Sequence, residues 1–168
     1  ADKARPRETL RLLAYTPTLF LGAFLLFQVQ PMLARYILPW YGGSSAVWST
    51  CLLFFQAALL AGYGYVHFLT RYSEPRRQVA VHLFLLAVAL ALLPVTPDSA
   101  FKPASDANPL VTIIVLLTVS VGGPYLLLSA SAPLLQHWSA RFRGGESPYH
   151  FYAISNLGSL LGLWTYPI

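Results

Sequence analysis

Charge is what this sequence has least of. Only 10% of its 168 residues are Asp, Glu, Lys or Arg, where a soluble domain carries about 25%. A water-facing surface needs charges to stay dispersed, and this chain cannot cover itself with them. All six acids, Asp2, Glu8, Glu74, Asp98, Asp106 and Glu146, fall outside the apolar runs. That weighs against a carrier moving protons or polyamines through this segment, since both want a membrane-embedded acid. Cysteine is limited to Cys51. A single thiol forms no internal disulfide and leaves the redox compartment open; Cys51 reads as a small lipid- or core-facing residue. There is no P-loop, no strand-borne G-x-G-x-x-G, no H-E-x-x-H and no nucleophile elbow. Alternating ten-residue strands are missing too, which excludes a membrane β-barrel.

What is present is apolar. Hydrophobic residues make up 56% of the chain and the mean hydropathy is +0.56. A helical span needs about 20 mostly apolar residues. Five candidates emerge, at 12–38, 46–70, 78–95, 109–138 and 148–168. The first run is far longer than a signal-peptide core and no A-x-A site follows it. Backbone groups in hydrocarbon must be satisfied internally. The expected fold is therefore all-α: one polytopic transmembrane helical bundle over 1–168, with about five spans. The final residues "LGLWTYPI" lie inside a span, so the sequence reads as a fragment continuing past 168.

The net charge of +5 comes in clusters between the runs. Lys3, Arg5, Arg7 and Arg11 precede the first span. Arg71, Arg76 and Arg77 lie in "RYSEPRR" (71–77), and Arg141 and Arg143 in "SARFRGGES" (139–147). The other two connections, "PWYGGSS" (39–45) and "TPDSAFKPASDA" (96–107), hold only Lys102, with Arg35 nearby. Cytoplasmic loops are the basic ones, which puts the N-terminus in the cytoplasm. Tyr36, Trp40, Tyr41 and Trp48 mark the outer interface, and Trp138, Phe142, Tyr149 and Tyr152 the inner one. No aromatic-basic interleaving of an RNA-binding sheet accompanies the charge, so nucleic acid is not an expected partner. The lipid bilayer is, together with other membrane protein subunits.

Polar groups within spans are the candidate sites. Arg35 either snorkels to the headgroups or holds an anion or ion pair. Pro31 should kink the first helix and free a carbonyl. Gln28 and Gln30 beside it, with Arg35, Gln56 and Asn156, form either a polar intramembrane cluster or separate interhelical hydrogen bonds. Gly122, Gly123, Pro124 and Pro133 would break the fourth span into half-helices or pack it closely. Gly158 and Gly162 form a GxxxG contact face. His67 and His82 flank one hairpin and are the weak candidates for metal, haem or pigment. No cofactor is expected; bound lipid is.

Two segments carry a resemblance. Residues 28–67 contain Gln30-Pro31, Pro39, Gly42-Gly43, Ala46-Val47-Trp48, Gln56 and Gly62-Tyr63. Residues 122–167 contain Ser129 through Leu135, Tyr149, Asn156 and Gly158-Ser159. Together they resemble the membrane region of bacterial spermidine-synthase-like proteins, the fused major-facilitator/spermidine-synthase family. The resemblance implies a helical region that precedes a soluble aminopropyltransferase-like domain. No part of this chain matches that domain, so no catalytic residue carries over. The expected function is a non-catalytic membrane anchor, scaffold or accessory subunit of a larger complex, a respiratory or photosynthetic one being a fitting host. The alternatives are half of a small-solute transporter, or the membrane region of an aminopropyltransferase-like enzyme.

Overall fold

The computed structural model describes residues 6–93, 108–142 and 149–166, with side chains from Tyr15 onward and excepting that of Phe142. The charged positions Lys3, Arg5 and Arg143, and the connection 96–107, lie outside the described residues, as do 94–95, 148 and 167–168 of the expected spans.

Every element among the described residues is helical: α1 (Pro6–Tyr41), α2 (Ser45–Tyr72), α3 (Pro75–Ala91), α4 (Pro109–Leu117), a π-helical turn (Thr118–Gly122), α5 (Gly123–Phe142) and α6 (Tyr149–Thr165). α4, the π turn and α5 follow without a gap, so the rods number five among the described residues. Three stretches are long and apolar enough to cross a membrane: Tyr15–Tyr41, Ser45–Tyr72 and Pro109–Arg141. α3 and α6 have 17 residues each, about 26 Å at 1.5 Å per residue, short of a hydrocarbon core of about 30 Å.

Helix ends follow local chemistry. The first connection is tighter than "PWYGGSS" suggests, because α1 runs on to Tyr41. Gly42 stops it with φ +81°, a left-handed conformation natural to glycine, and its N–H bonds the Leu38 carbonyl at 2.8 Å. Ser44 then caps α2, its hydroxyl accepting from the Val47 N–H at 3.4 Å. Pro75 opens α3 at a position where no backbone donor is needed. Asn108 caps α4 by accepting from the Leu110 N–H.

The expected interruptions are corrected in part. α5 passes through Pro133 without ending, where a second interruption is expected; α1 is helical across Pro31, where the expectation is a kink. The break expected at Gly122-Gly123-Pro124 is a single widened turn instead. Pro124 would clash with the Ser120 carbonyl of a regular helix; the π turn immediately before it adds the room. The Thr118 hydroxyl donates to the Ile114 carbonyl at 2.7 Å at the start of that turn. The rod is thus continuous across this turn.

The chain divides into two compact units, residues 29–130 and residues 1–28 with 131–168. In the first, α2 packs against α4 and α5, running parallel to them. Phe55 meets Tyr125 with ring centroids 5.0 Å apart. Farther along α2, a methyl group at Gly62 would meet the Leu126 carbonyl oxygen at 3.0 Å. α3 returns antiparallel along α2, with Tyr65 opposite His82. Gln78, fully buried, fastens this hairpin by donating from Nε2 to the Ser73 carbonyl at 2.7 Å. Gln78→Leu leaves that carbonyl without its donor, so a stability loss of about 1–3 kcal/mol is expected in detergent unfolding. Val79→Leu, one residue on and exposed, is expected to stay within about 0.5 kcal/mol. Equal effects from both would mean that Gln78 is no clasp.

In the second unit, α6 runs parallel to the first half of α1 at nearly constant register. Gly158 lies against Phe20 and Ala23, Gly162 against Phe24, and Thr165 against Gln28.

Candidate functional site

The best-built polar group of residues 29–130 centres on Tyr125. It is 1% exposed. The π turn and Pro124 set the start of α5 so that this ring faces Phe55 of α2. Gln30 of α1, one residue before Pro31, donates from Nε2 to the Tyr125 hydroxyl oxygen. One turn along α5, the Ser129 hydroxyl donates to the Leu126 carbonyl at 2.7 Å. It sits directly against Gly62, where α2 has no side chain in the way. Three helices are thus joined by one interhelical hydrogen bond and one close approach.

A second polar contact joins α2 and α3: the Tyr65 hydroxyl lies 3.4 Å from Nδ1 of His82, which is buried. His67, two residues after Tyr65, is about 200° further around α2 and is exposed. His67 and His82 thus lie in different surroundings, one exposed and one buried beside Tyr65. Among the described residues no three His, Cys, Asp or Glu side chains gather into a metal site.

In the other unit, Gln28 donates from Nε2 to the Thr165 hydroxyl oxygen at 3.0 Å, and that hydroxyl donates onward to the Leu161 carbonyl at 2.6 Å. The Nε2 atom of His137 is buried with no hydrogen-bond partner among the described residues.

The intramembrane cluster of Gln28, Gln30, Arg35, Gln56 and Asn156 is not assembled within either unit. Gln30 is committed to Tyr125, while Arg35 and Gln56 of the same unit are exposed. Gln28 is committed to Thr165, while Asn156 of its unit is exposed. The physical reason is helical phase. Gln28 and Gln30 stand about 200° apart on α1 and cannot face one cavity. Gln56 lies on the side of α2 away from Phe55 and Gly62. The residues that do bring helices together, Tyr125, Ser129, Gly62, Gln78 and Thr165, were not singled out by polarity. Their signal was weak: a Tyr or Ser in an apolar run reads equally as interface, packing or chance. Chemically, these contacts hold helices together.

The fold thus defines an all-helical protein in which three helices are long and apolar enough to cross a membrane. Beyond that class, the chain matches no family model, no curated protein and no solved structure.

Proposed function

We propose that this chain is a non-catalytic, multi-pass module of a bacterial inner membrane, crossing it five times from a cytoplasmic N-terminus and serving as an anchor, scaffold or accessory subunit in a larger membrane assembly. The observation that carries this reading is the outward face of the helices. Leu53 (62% exposed), Leu60 (72%), Phe84 (68%), Val119 (68%) and Leu160 (64%) all point away from the protein. Water would penalise this apolar surface, while acyl chains and neighbouring helices accept it. Exposed Gln56 and Asn156 lie near the middles of α2 and α6, where lipid offers no hydrogen bond. Partner helices would satisfy them.

Helix directions support the span count. With alternate crossings, the first and fifth spans must run the same way, and so must the second and fourth. α1 and α6 are parallel, as are α2 and the α4–α5 rod. For α3 and α6 to cross, tilt, local thinning or unwound flanking residues would have to make up their length. The arginines of 71–77, Trp48 at the opposite end of α2, Tyr36 near the end of α1, and the resemblance to the membrane region of spermidine-synthase-like proteins all favour the same reading. The candidate polar residues of the transporter alternative do not converge within either unit among the described residues. The enzyme alternative stands on the resemblance alone.

Alkaline carbonate extraction followed by mild-detergent sizing tests both halves of the proposal. The chain is expected in the membrane pellet, and then in a particle containing other proteins. Release by carbonate overturns the membrane reading. A chain that stays in the pellet but migrates with no other protein overturns the subunit reading.

A further inference from the structure

α3 carries charge at its first turn and exposed apolar side chains below it. Arg76 and Arg77 stand in that turn, both exposed. At about 100° per residue, Ala80, Leu83 and Ala87 continue the row that Arg76 starts, and Phe84 and Val88 the row that Arg77 starts. All five are exposed, while Gln78 and His82 on the opposite side of α3 are buried. Arg71, also exposed, ends α2 across the turn, its guanidinium 5.7 Å from the centre of the Tyr72 ring. The bond from Gln78 to the Ser73 carbonyl fixes the backbone between the two helices, and with it the positions that bear the three arginines. Glu74 is the only carboxylate of 71–77, so three positive charges against one negative leave two in excess. Glu74 makes no side-chain cap on α3, and the N-terminal end of a helix is itself a weak positive pole.

We infer that this end of α3 binds an anionic phospholipid, its phosphate against Arg76 and Arg77 and an acyl chain along Leu83 and Phe84; the inference rests on the membrane reading above. Charge complementarity selects the headgroup. A phosphate presents paired oxygens that match the guanidinium fork. The two excess positive charges repel the ammonium of a zwitterionic headgroup and favour one whose remainder is neutral or negative. Depth selects a lipid over an acidic protein segment. α3 has 17 residues, about 26 Å, against a hydrocarbon core of about 30 Å. A helix this short that crosses the bilayer keeps its first turn at the boundary, where lipid phosphates lie. An acidic segment arriving from water would meet the arginines and leave Leu83 and Phe84 bare, whereas a lipid engages both. Ala80, one turn below Arg76 and exposed, leaves room beside the helix for the glycerol that joins phosphate to chain.

The test uses the full chain, purified and reconstituted in phosphatidylcholine bilayers containing a minority of phosphatidylglycerol. A fluorophore is attached at Leu83→Cys on α3, or at Leu60→Cys on α2, in a Cys51→Ala background; both leucines are exposed. Quenching by lipids with brominated chains reports which lipid lies beside the label. At Leu83, brominated phosphatidylglycerol is expected to quench as though enriched about fivefold over brominated phosphatidylcholine. At Leu60 the two should quench alike. Arg76→Gln combined with Arg77→Gln, at exposed positions, should bring the Leu83 result to that of Leu60. The inference is overturned if Leu83 shows no preference, if Leu60 shows the same one, or if the preference survives the double arginine change. It is equally overturned if soluble oligoglutamate abolishes the preference, which would assign the arginines to an acidic protein segment. The two failures are distinct: quenching by neither lipid at either site sinks the membrane reading, while equal quenching by both sinks only the headgroup site.

Discussion

Gly158→Ala combined with Gly162→Ala is expected to destabilise the protein by about 2 kcal/mol, although both changes improve helix propensity. Alanine in a helix interior is favoured over glycine by about 1 kcal/mol, and on propensity alone the double variant should gain. Close approach reverses the sign. A methyl group at Gly158 would meet the Phe20 carbonyl oxygen at 2.5 Å, and one at Gly162 the Phe24 carbonyl oxygen at 2.6 Å. Both obstacles are backbone atoms of α1, so no rotamer change relieves them; the helices must separate. Overpacking of this kind costs about 1–3 kcal/mol. Separation also stretches the bond from Gln28 to Thr165, three residues beyond Gly162. Heat or SDS unfolding in mild detergent reads the loss, with Trp164 on α6 as a fluorescent reporter. Gly22→Ala is the matched control. Gly22 lies on α1 between Phe20 and Phe24, with nothing within 4 Å of an added methyl group, and it should be neutral or slightly stabilising. If Gly158→Ala and Gly162→Ala behave like Gly22→Ala, the close pairing of α1 with α6 is wrong.

The GxxxG spacing pointed to a contact face but not to its partner. Apolarity says that a helix forms and is solvated by something apolar. It does not say which neighbour lies on which side, because in lipid both sides of a span can be equally oily. The helices themselves were legible for that reason, and so were the stops: Gly42, Ser44 and Pro75 act through local backbone chemistry that sequence carries directly. The prolines were less so. Pro31, Pro124 and Pro133 each remove one donor, yet only Pro124 adjoins an altered turn. The others stand within continuous helix.

The polar residues were least legible. Gln28 and Gln30 stand close in sequence but serve different neighbours, a consequence of helical phase that a reading for polarity alone passes over. Their partners were hidden by type. Thr165 and Tyr125 resemble ordinary members of apolar runs until the facing glutamine is known. Gln78 opens the third expected span, where polarity at a helix end attracts no notice, whereas it is fully buried and closes the α2–α3 hairpin. Arg35, Gln56 and Asn156 show the reverse case: polar residues in expected spans that are exposed among the described residues.

Tyr125 is where the fold should prove least forgiving. The ring is buried, rests against Phe55, and accepts from Gln30, so it joins α1, α2 and α5 at one point. Tyr125→Ala removes that ring contact and leaves a cavity between close-packed helices, with an expected cost of about 3–5 kcal/mol. Tyr125→Phe keeps the ring and removes only the hydroxyl; about 1 kcal/mol is expected from it. Gln30→Leu should cost a similar amount. The two losses should overlap in the double variant, because each removes the same bond, giving a coupling of about 1 kcal/mol in a double-mutant cycle. The cycle separates two views of Gln30. If its carboxamide serves Tyr125, the coupling appears. If it serves a ligand or a neighbouring protein instead, Gln30→Leu and Tyr125→Phe add independently, and the α1–α5 contact drawn here loses its chemical basis even where Tyr125→Ala is severe.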